Sequence, residues 1–468
     1  MAKIRPRAQL ILQPMLLLSL VVLLAVVIAG GGFAWFAFSH GPGPTAGGTT
    51  GSSQGGTSSG FTNSPIILKI ATELPVSGQD ESSGKPAEDG AHLAIELANA
   101  NHTVPNVMFQ FVPKDDVGPS GIHDPAVGAQ NVTALVGDAQ VVGIVGPFNS
   151  SVAKAEIPIS NQAPLAQISP ANTNPCLTKS DAASGCSGSN DLIPTLRPTG
   201  KVSYFRIATT DDHQGPAGAD YLYKTLNLYS AYVIDDAETY GVGLANAFIN
   251  EWRNLGGTVL GHSSEAPSTT ASTYVSLLTQ VASLKPDVIY FGGLDSTGGI
   301  LIRQQMPNIH GLENTPFAGG DGIVTPTFAT TIGTSGAPNY GTVAVVDTSQ
   351  NPSAATFKQQ FAAAFTDPIN VYSAAAYDCA NILIQAVKTA LANGAKPPTS
   401  SSDAVAGKAF RQAVISAIQG IDFTGLTGHQ SFDPNGDTTD KIITVYKIGT
   451  NATTKKPDWL FASSVTVS

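Results

Sequence analysis

From Ile66 onward the chain alternates two kinds of segment, and this alternation limits its fold more than any other feature. The apolar run IILKIATEL leads to Ser77-Gly78, and KPAEDGAHLAIELANA follows with Ala91, Ala94, Ile95 and Ala98 on one helical face. VMFQFVPKDD reads as a second strand, PAVGAQNVTALVGD as a helix, QVVGIVG as a strand, SSVAKAEIPISNQ as a helix and PLAQISP as a strand. Short apolar strands separated by amphipathic helices predict a mostly parallel sheet with helices on both faces.

The pattern restarts after a Ser/Gly/Asn-rich stretch. YFRIATT, the helix GPAGADYLYKTLN and the strand SAYVIDD precede GLANAFINEWRNLGG, where Leu244, Phe248, Trp252 and Leu255 recur at helical steps before a Gly-Gly stop. TVLGHSS, the helix STYVSLLTQVASL and the strand DVIYFGGL continue it. A chain of 468 residues exceeds what one core usually organises. Two doubly wound α/β lobes fit better than one continuous sheet. In such sheets ligands bind beyond the carboxyl ends of the strands. Ser77-Gly78, 146–151, 169–175, 235–240, 292–295 and 319–322 would then converge on one rim.

Ahead of this body, residues 1–39 carry Lys3, Arg5 and Arg7 before an almost unbroken apolar segment from Leu10 to Phe38. A secretory signal has an apolar core of only about 7 to 15 residues, so a retained membrane anchor with its basic end inside is expected, with a cleaved signal as the alternative. Residues 40–64 are rich in Gly, Ser and Thr, a flexible tether reaching about 25 to 30 Å. The body would work at the extracytoplasmic face of the membrane, or free if the segment is cut. Only 12% of residues are charged, and the net charge of −10 contains no basic cluster, which excludes a nucleic-acid surface.

Several motifs have plain readings. Cys176 and Cys186, ten apart in an exported protein, read as a local disulfide, with metal binding the weaker alternative because no ligand set is completed nearby. Cys379 reads as a buried apolar filler. YGVGLAN has Asn246 where a dinucleotide fingerprint needs its third glycine, and DPNGD has Thr438 and Thr444 where a calcium loop needs Gly and Glu. They read as a helix start and a β-turn. KDD, Lys114 to Asp116, reads as a hydrogen-bonded corner or cap. His123, His213 and His262 lie in polar contexts and read as solvated loop residues. No G-x-S-x-G elbow or H-E-x-x-H pair is present, so nothing points to an enzyme.

Taken in order, LPVSGQDESSG, DGAHLAIE, KDD, IVGPFNSS, ISPANTNPCLT, YFRIATTDDHQG, DDAETYGVGL, YFGGLDSTGGILIRQ, GGDGI, VYSAAAYD and FTGLTGHQSFDPNGD resemble one family. It is the solute-binding proteins of branched-chain amino-acid ABC transporters, with the type I periplasmic-binding fold. The resemblance covers about residues 66–450. It implies two lobes joined by three crossovers: residues 65–210 with 350–427, and 211–349 with 428–468. It implies a monomer that captures a small solute, presents it to an ABC permease, and needs no metal or cofactor. A ligand-sensing ectodomain working through a membrane partner is the alternative.

The resemblance also nominates residues. Ser150 matches the serine that holds an amino-acid carboxylate, and it begins a helix, whose free N–H groups favour an anion. Ala171 and Thr173 match a backbone carbonyl for the ammonium and a hydroxyl for the zwitterion. Asp321 matches the acid that pairs with the ammonium, and Tyr240 a tyrosine closing over the polar end. Asn149, Ser83, Leu294 and Tyr372 take side-chain-pocket positions. The first three depart from the leucine-type pattern, which implies a larger or more polar pocket.

Overall fold

A computed structural model describes residues 65–467 other than Thr269. The anchor and tether expected over residues 1–39 and 40–64 lie outside the described residues. Among the described residues no helix is long and apolar enough to cross a membrane.

Two sheets organise this body. The first holds β1 (Ile66–Leu74), β2 (Val107–Asp115), β3 (Val141–Val145), β4 (Ala166–Ser169) and β5 (Tyr204–Arg206) in the order β2-β1-β3-β4-β5, all parallel. The helices α1 (Glu81–Ala100), α2 (Pro125–Val136), α3 (Ser150–Gln162) and the single turn α4 (Ile193–Leu196) connect them. All five residues of β3 are buried, as a strand covered on both faces requires. Ala87, Ala91, Ala94 and Ile95 of α1 point into the same core.

The second half starts with α5 (Asp211–Asp220), then β6 (Ser230–Asp235), α6 (Thr239–Asn254), β7 (Thr258–Ser264), α7 (Val275–Leu284), β8 (Val288–Gly292), α8 (Ile300–Gln305), β9 (Phe317–Gly319), α9 (Pro326–Ile332) and β10 (Asn339–Val343). The helices α10 (Ala354–Ala364), α11 (Ser373–Ala392) and α12 (Ala404–Gln419) return to the first half, where α11 packs along α1 and α12 against β3. A small hairpin, β11 (Phe423–Gly425) with β12 (Gly428–Gln430), precedes β13 (Ile442–Thr450) and β14 (Pro457–Thr466). These last two extend the second sheet to the order β14-β13-β10-β9-β8-β6-β7.

Both sheets are mostly parallel, as expected, and this edge is the departure from a wholly parallel second lobe. β13 runs antiparallel to β10 and β14 antiparallel to β13. A hairpin needs no helical crossover, so residues 442–466 close the sheet without another helix.

The chain thus passes between the sheets three times, and the crossing segments bond to one another. Thr209 N–H donates to Ala344 O at 2.8 Å, Ile442 N–H to Thr209 Oγ1 at 3.2 Å, and Thr444 Oγ1 to Val345 O at 3.1 Å. Ile207, Val343, Val345 and Ile443 on these segments belong to the same apolar cluster as Leu68 and Ile70 of β1. The crossings therefore share the first half's core.

Cys176 and Cys186 are joined by a disulfide, and Cys379 is buried and free. DPNGD forms a turn closed by a bridge between Phe432 and Thr438. KDD is a hydrogen-bonded corner: Asp115 accepts from Val76 N–H and Val117 N–H at 3.1 Å and from Ser77 Oγ at 2.6 Å. The histidines differ from expectation. His213 lies in α5 and His262 in β7, and His123 is buried against Asp80, its N–H and Nδ1 both 2.9 Å from Asp80 Oδ2. A bridge between Val117 and His123 folds this polar loop back under α1, out of water.

Candidate functional site

The carboxyl ends of β3 and β4 carry the first wall of a cleft between the halves. β3 ends at Val145 and α3 begins at Ser150, so the free N–H groups in the first turn of a 13-residue helix accompany the Ser150 hydroxyl. After β4 the loop is fixed before any ligand enters. Ser169 Oγ donates to Pro147 O at 2.7 Å and accepts from Asn172 N–H at 2.8 Å, while Asn172 Nδ2 donates to Phe148 O at 2.6 Å. Tyr204 OH holds Asn172 Oδ1 at 2.7 Å, and an Arg206 N–H holds Asn174 O at 2.7 Å. Ala171 and Thr173 therefore sit on a rigid shelf.

The opposite wall comes from the second sheet. After β9 the chain turns through Gly320, Asp321 and Gly322. A Cβ on Gly322 would lie 2.4 Å from Gly293 O, so only glycine lets these two strand ends approach. Asp321 Oδ1 accepts from Gln214 Nε2 at 2.9 Å and Tyr240 OH at 2.8 Å, and Oδ2 accepts a short hydrogen bond from Tyr372 OH. Tyr240 stands in the first turn of α6, and Gln214 in α5. Tyr372 caps α11, so its bond to Asp321 spans the cleft. Burial raises the Asp321 carboxyl above its ordinary range, against the pull of its three donors. All three are neutral.

All nine nominated residues, Ser83, Asn149, Ser150, Ala171, Thr173, Tyr240, Leu294, Asp321 and Tyr372, line one cavity. Pro75, Asp80, Phe148, Asp295 and Gly322 complete its wall. The walls are close: about 30 Å³ is left for solvent centres, room for one or two waters. On the first wall Asn149 Oδ1 is buried and has no hydrogen-bond partner. Cys176 lies elsewhere, on an outer groove between its loop and α6.

Sequence reasoning did not nominate Asp80, Asp295 or Asp211. Asp295 lies in a strand-end loop that the carboxyl-end rule does mark, after β8. Asp80 precedes α1, and its place becomes visible only once His123, 43 residues away, is seen beneath it. Asp211 opens α5 directly behind the cavity. It is fully buried, and its N–H donates to Thr173 O at 2.8 Å. Burial, and then the nearby Asp321 charge, hold its carboxyl well above the usual range. Among the described residues no group of His, Cys, Asp and Glu is placed to hold a metal ion.

This wall chemistry suits a solute with separate negative and positive ends: helix N–H groups and hydroxyls on one side, a carboxylate with neutral donors on the other. Known proteins agree with the architecture. The periplasmic binding protein sequence profile matches residues 67–453. An amino acid binding protein of Pseudomonas aeruginosa is 29% identical over 275 residues, 59% of this chain and 64% of that protein, so the match spans less than two thirds of its length. A Leu/Ile/Val-binding protein of Rhizobium johnstonii is 27% identical over 385 residues, 81% of this chain and 91% of its own. Among solved structures, the leucine binding protein LivK of Thermotoga maritima superposes with a TM-score of 0.65 at 22% identity, covering 85% of this chain and 99% of that one. A Rhodopseudomonas palustris solute binding protein in complex with p-hydroxybenzoic acid gives a TM-score of 0.67 at 16% identity, covering 86% and 97%. At these identities the structures speak for the fold alone. With the profile spanning most of its length, the chain belongs to the periplasmic binding protein family, a family of binding proteins rather than enzymes that includes the Leu/Ile/Val-binding proteins.

Proposed function

We propose that this protein captures an amino acid in the cleft between its two halves and hands it, outside the cytoplasm, to an ABC importer. One observation carries the reading: Ser150 at a helix N-terminus and Asp321 with only neutral donors occupy opposite walls of a single cavity. The solute carboxylate would meet Ser150, Thr173 and the first N–H groups of α3. Its ammonium would meet Asp321 and the Ala171 carbonyl. The three crossings form the hinge about which the halves, 65–210 with 350–427 and 211–349 with 428–468, close on the solute. Names of relatives support the amino-acid class, and a membrane anchor at residues 1–39 would keep a monomeric receptor close to its permease. A sensing role through a membrane partner would use the same capture step.

A benzoate-type acid is the rival ligand, given the solved relative that holds one. It would bring one negative charge into a cavity lined by Asp80, Asp295 and Asp321 and by no Lys, Arg or His. Calorimetry and thermal shift of the full-length chain against the amino acids and 4-hydroxybenzoate test the reading. Amino-acid binding that raises the melting temperature is expected, since a ligand that binds only the native state stabilises it. Binding of 4-hydroxybenzoate with no response to any amino acid sinks the assignment of Asp321.

A further inference from the structure

We propose that the solute carries a second positive charge at its far end, as a diamino or guanidino amino acid does, and that Asp80 and Asp295 receive it. This rests on the amino-acid reading of the cleft and narrows it to one substrate class.

The two carboxylates come from opposite halves and line the same cavity as Asp321. Ser296 ties them together: its N–H donates to Asp295 Oδ1 at 2.8 Å and its hydroxyl makes a 2.5 Å hydrogen bond to Asp80 Oδ1. Asp80 Oδ2 takes the two bonds from His123, and Asp295 Oδ2 takes a 2.5 Å bond from Thr325 Oγ1. An ionised carboxylate offers about four acceptor sites. Asp295 keeps roughly two of them and Asp80 roughly one. A third acceptor points to the same kind of ligand. Asn149 Oδ1, on a residue only 7% exposed, lines this cavity and has no donor.

A leucine-type side chain would set hydrocarbon against these acceptors and leave their desolvation uncompensated. An ammonium or guanidinium donates to them and offsets the charge. His123, bonded to Asp80, does not line the cavity. Burial opposes its charge, but Asp80, then Asp116 and Glu238, raise its pKa. It thus serves Asp80 and leaves Asp295 without a countercharge. Burial first, and Asp80 next among the groups that raise it, push the Asp295 carboxyl up to about 7, so a cation beside it would favour its ionised form.

Space points the same way. Asp295 is shared with a groove of about 560 Å³ on the outer side of the Asp80–Ser296 bond, lined also by Glu81 and Asp367 and by no basic residue. That groove has volume for several methylenes, and its acids attract a cation.

The test compares ligands that differ only at the far end. Calorimetry on the full-length chain near neutral pH would use L-lysine, L-ornithine, L-arginine and L-norleucine, the last matching lysine without its terminal amine. We expect the best of the three cationic amino acids to bind about 100-fold tighter than norleucine. Asp295→Asn should cut that preference about tenfold or more. Should the variant not fold, the wild-type ratio decides. Norleucine binding as tightly as every cationic ligand overturns this inference and leaves the amino-acid reading standing. Failure of all the amino acids to bind overturns that reading, and this inference with it.

Discussion

Two buried aspartates, Asp437 and Asp321, solve the same problem in opposite ways. Asp437 has a fixed countercharge: Oδ1 meets Arg206 Nε at 2.7 Å and Oδ2 accepts from Thr178 Oγ1 at 3.0 Å. Arg206 is itself wholly buried. Burial works most strongly against its charge, yet Asp437 together with Tyr204 and Asp212 raises its pKa. Its remaining N–H groups hold Asn174 O and Thr178 Oγ1, which fastens the end of the Ser169–Thr173 shelf to the turn at Asp433–Asp437. Asp321 is given hydroxyls and an amide but no cation. Of these two, Asp437 with its resident cation belongs to the framework, and Asp321 with neutral donors only is left to take a charge from outside.

Removing either acid separates the two cases. Asp437→Ala strands the buried Arg206 charge and should cost about 3 to 5 kcal/mol of stability, read as a lower denaturation midpoint. Equal loss from Asp321→Asn would erase the distinction. We expect that variant instead to keep or raise the melting temperature of the unliganded protein, since it removes a buried charge. It should weaken amino-acid binding by about 100-fold, on the order of 3 kcal/mol, in calorimetry.

A third carboxylate site, under the first sheet, sharpens the contrast through pH. Burial lifts the Glu156 carboxyl to about 8, and Glu73 beside it is also raised, first by burial and then by Glu156. Glu73 Oε2 and Glu156 Oε1 have no hydrogen-bond partner, and one shared proton would satisfy both. Between about pH 5 and pH 8 the folded protein holds a proton that the unfolded chain releases, so raising the pH favours unfolding. Stability should therefore fall by a few kcal/mol, on the order of 1 to 3, across that window, and Glu156→Gln should flatten the fall. The smallest expected effect is that of Tyr372→Phe. It deletes one neutral hydrogen bond to Asp321 and should lower unliganded stability by about 1 kcal/mol, measurable in urea.

What the sequence disclosed follows from the range of each interaction. The strand and helix order is written in local periodicity, and α6 illustrates it: Leu244, Phe248 and Trp252 repeat at helical steps and all three are fully buried. The rule that ligands sit at strand ends marked the loops that do converge, and the nine nominated residues line one cavity. Long-range pairs left no local trace. Arg206 and Asp437 are 231 residues apart, and Gln214 and Asp321 are 107 apart. His123 misled for the same reason, because a polar window carries no record of what later folds over it. The antiparallel edge of the second sheet was likewise hidden, since β13 and β14 have apolar patterns that suit either direction.

The Tyr372 bond to Asp321 has a further consequence. It crosses the cleft, as do Ser296 to Asp80 and Asn174 Nδ2 to Thr239 O at 2.7 Å, so the two walls are clasped by the protein's own side chains. In the proposed capture an arriving ammonium would compete with that phenol for Asp321, and the affinity measured in bulk would include the cost of opening the clasp. The concentration at which such a receptor begins to respond can then be reset by strengthening or weakening its self-clasp, with the shape of the solute pocket left as it is.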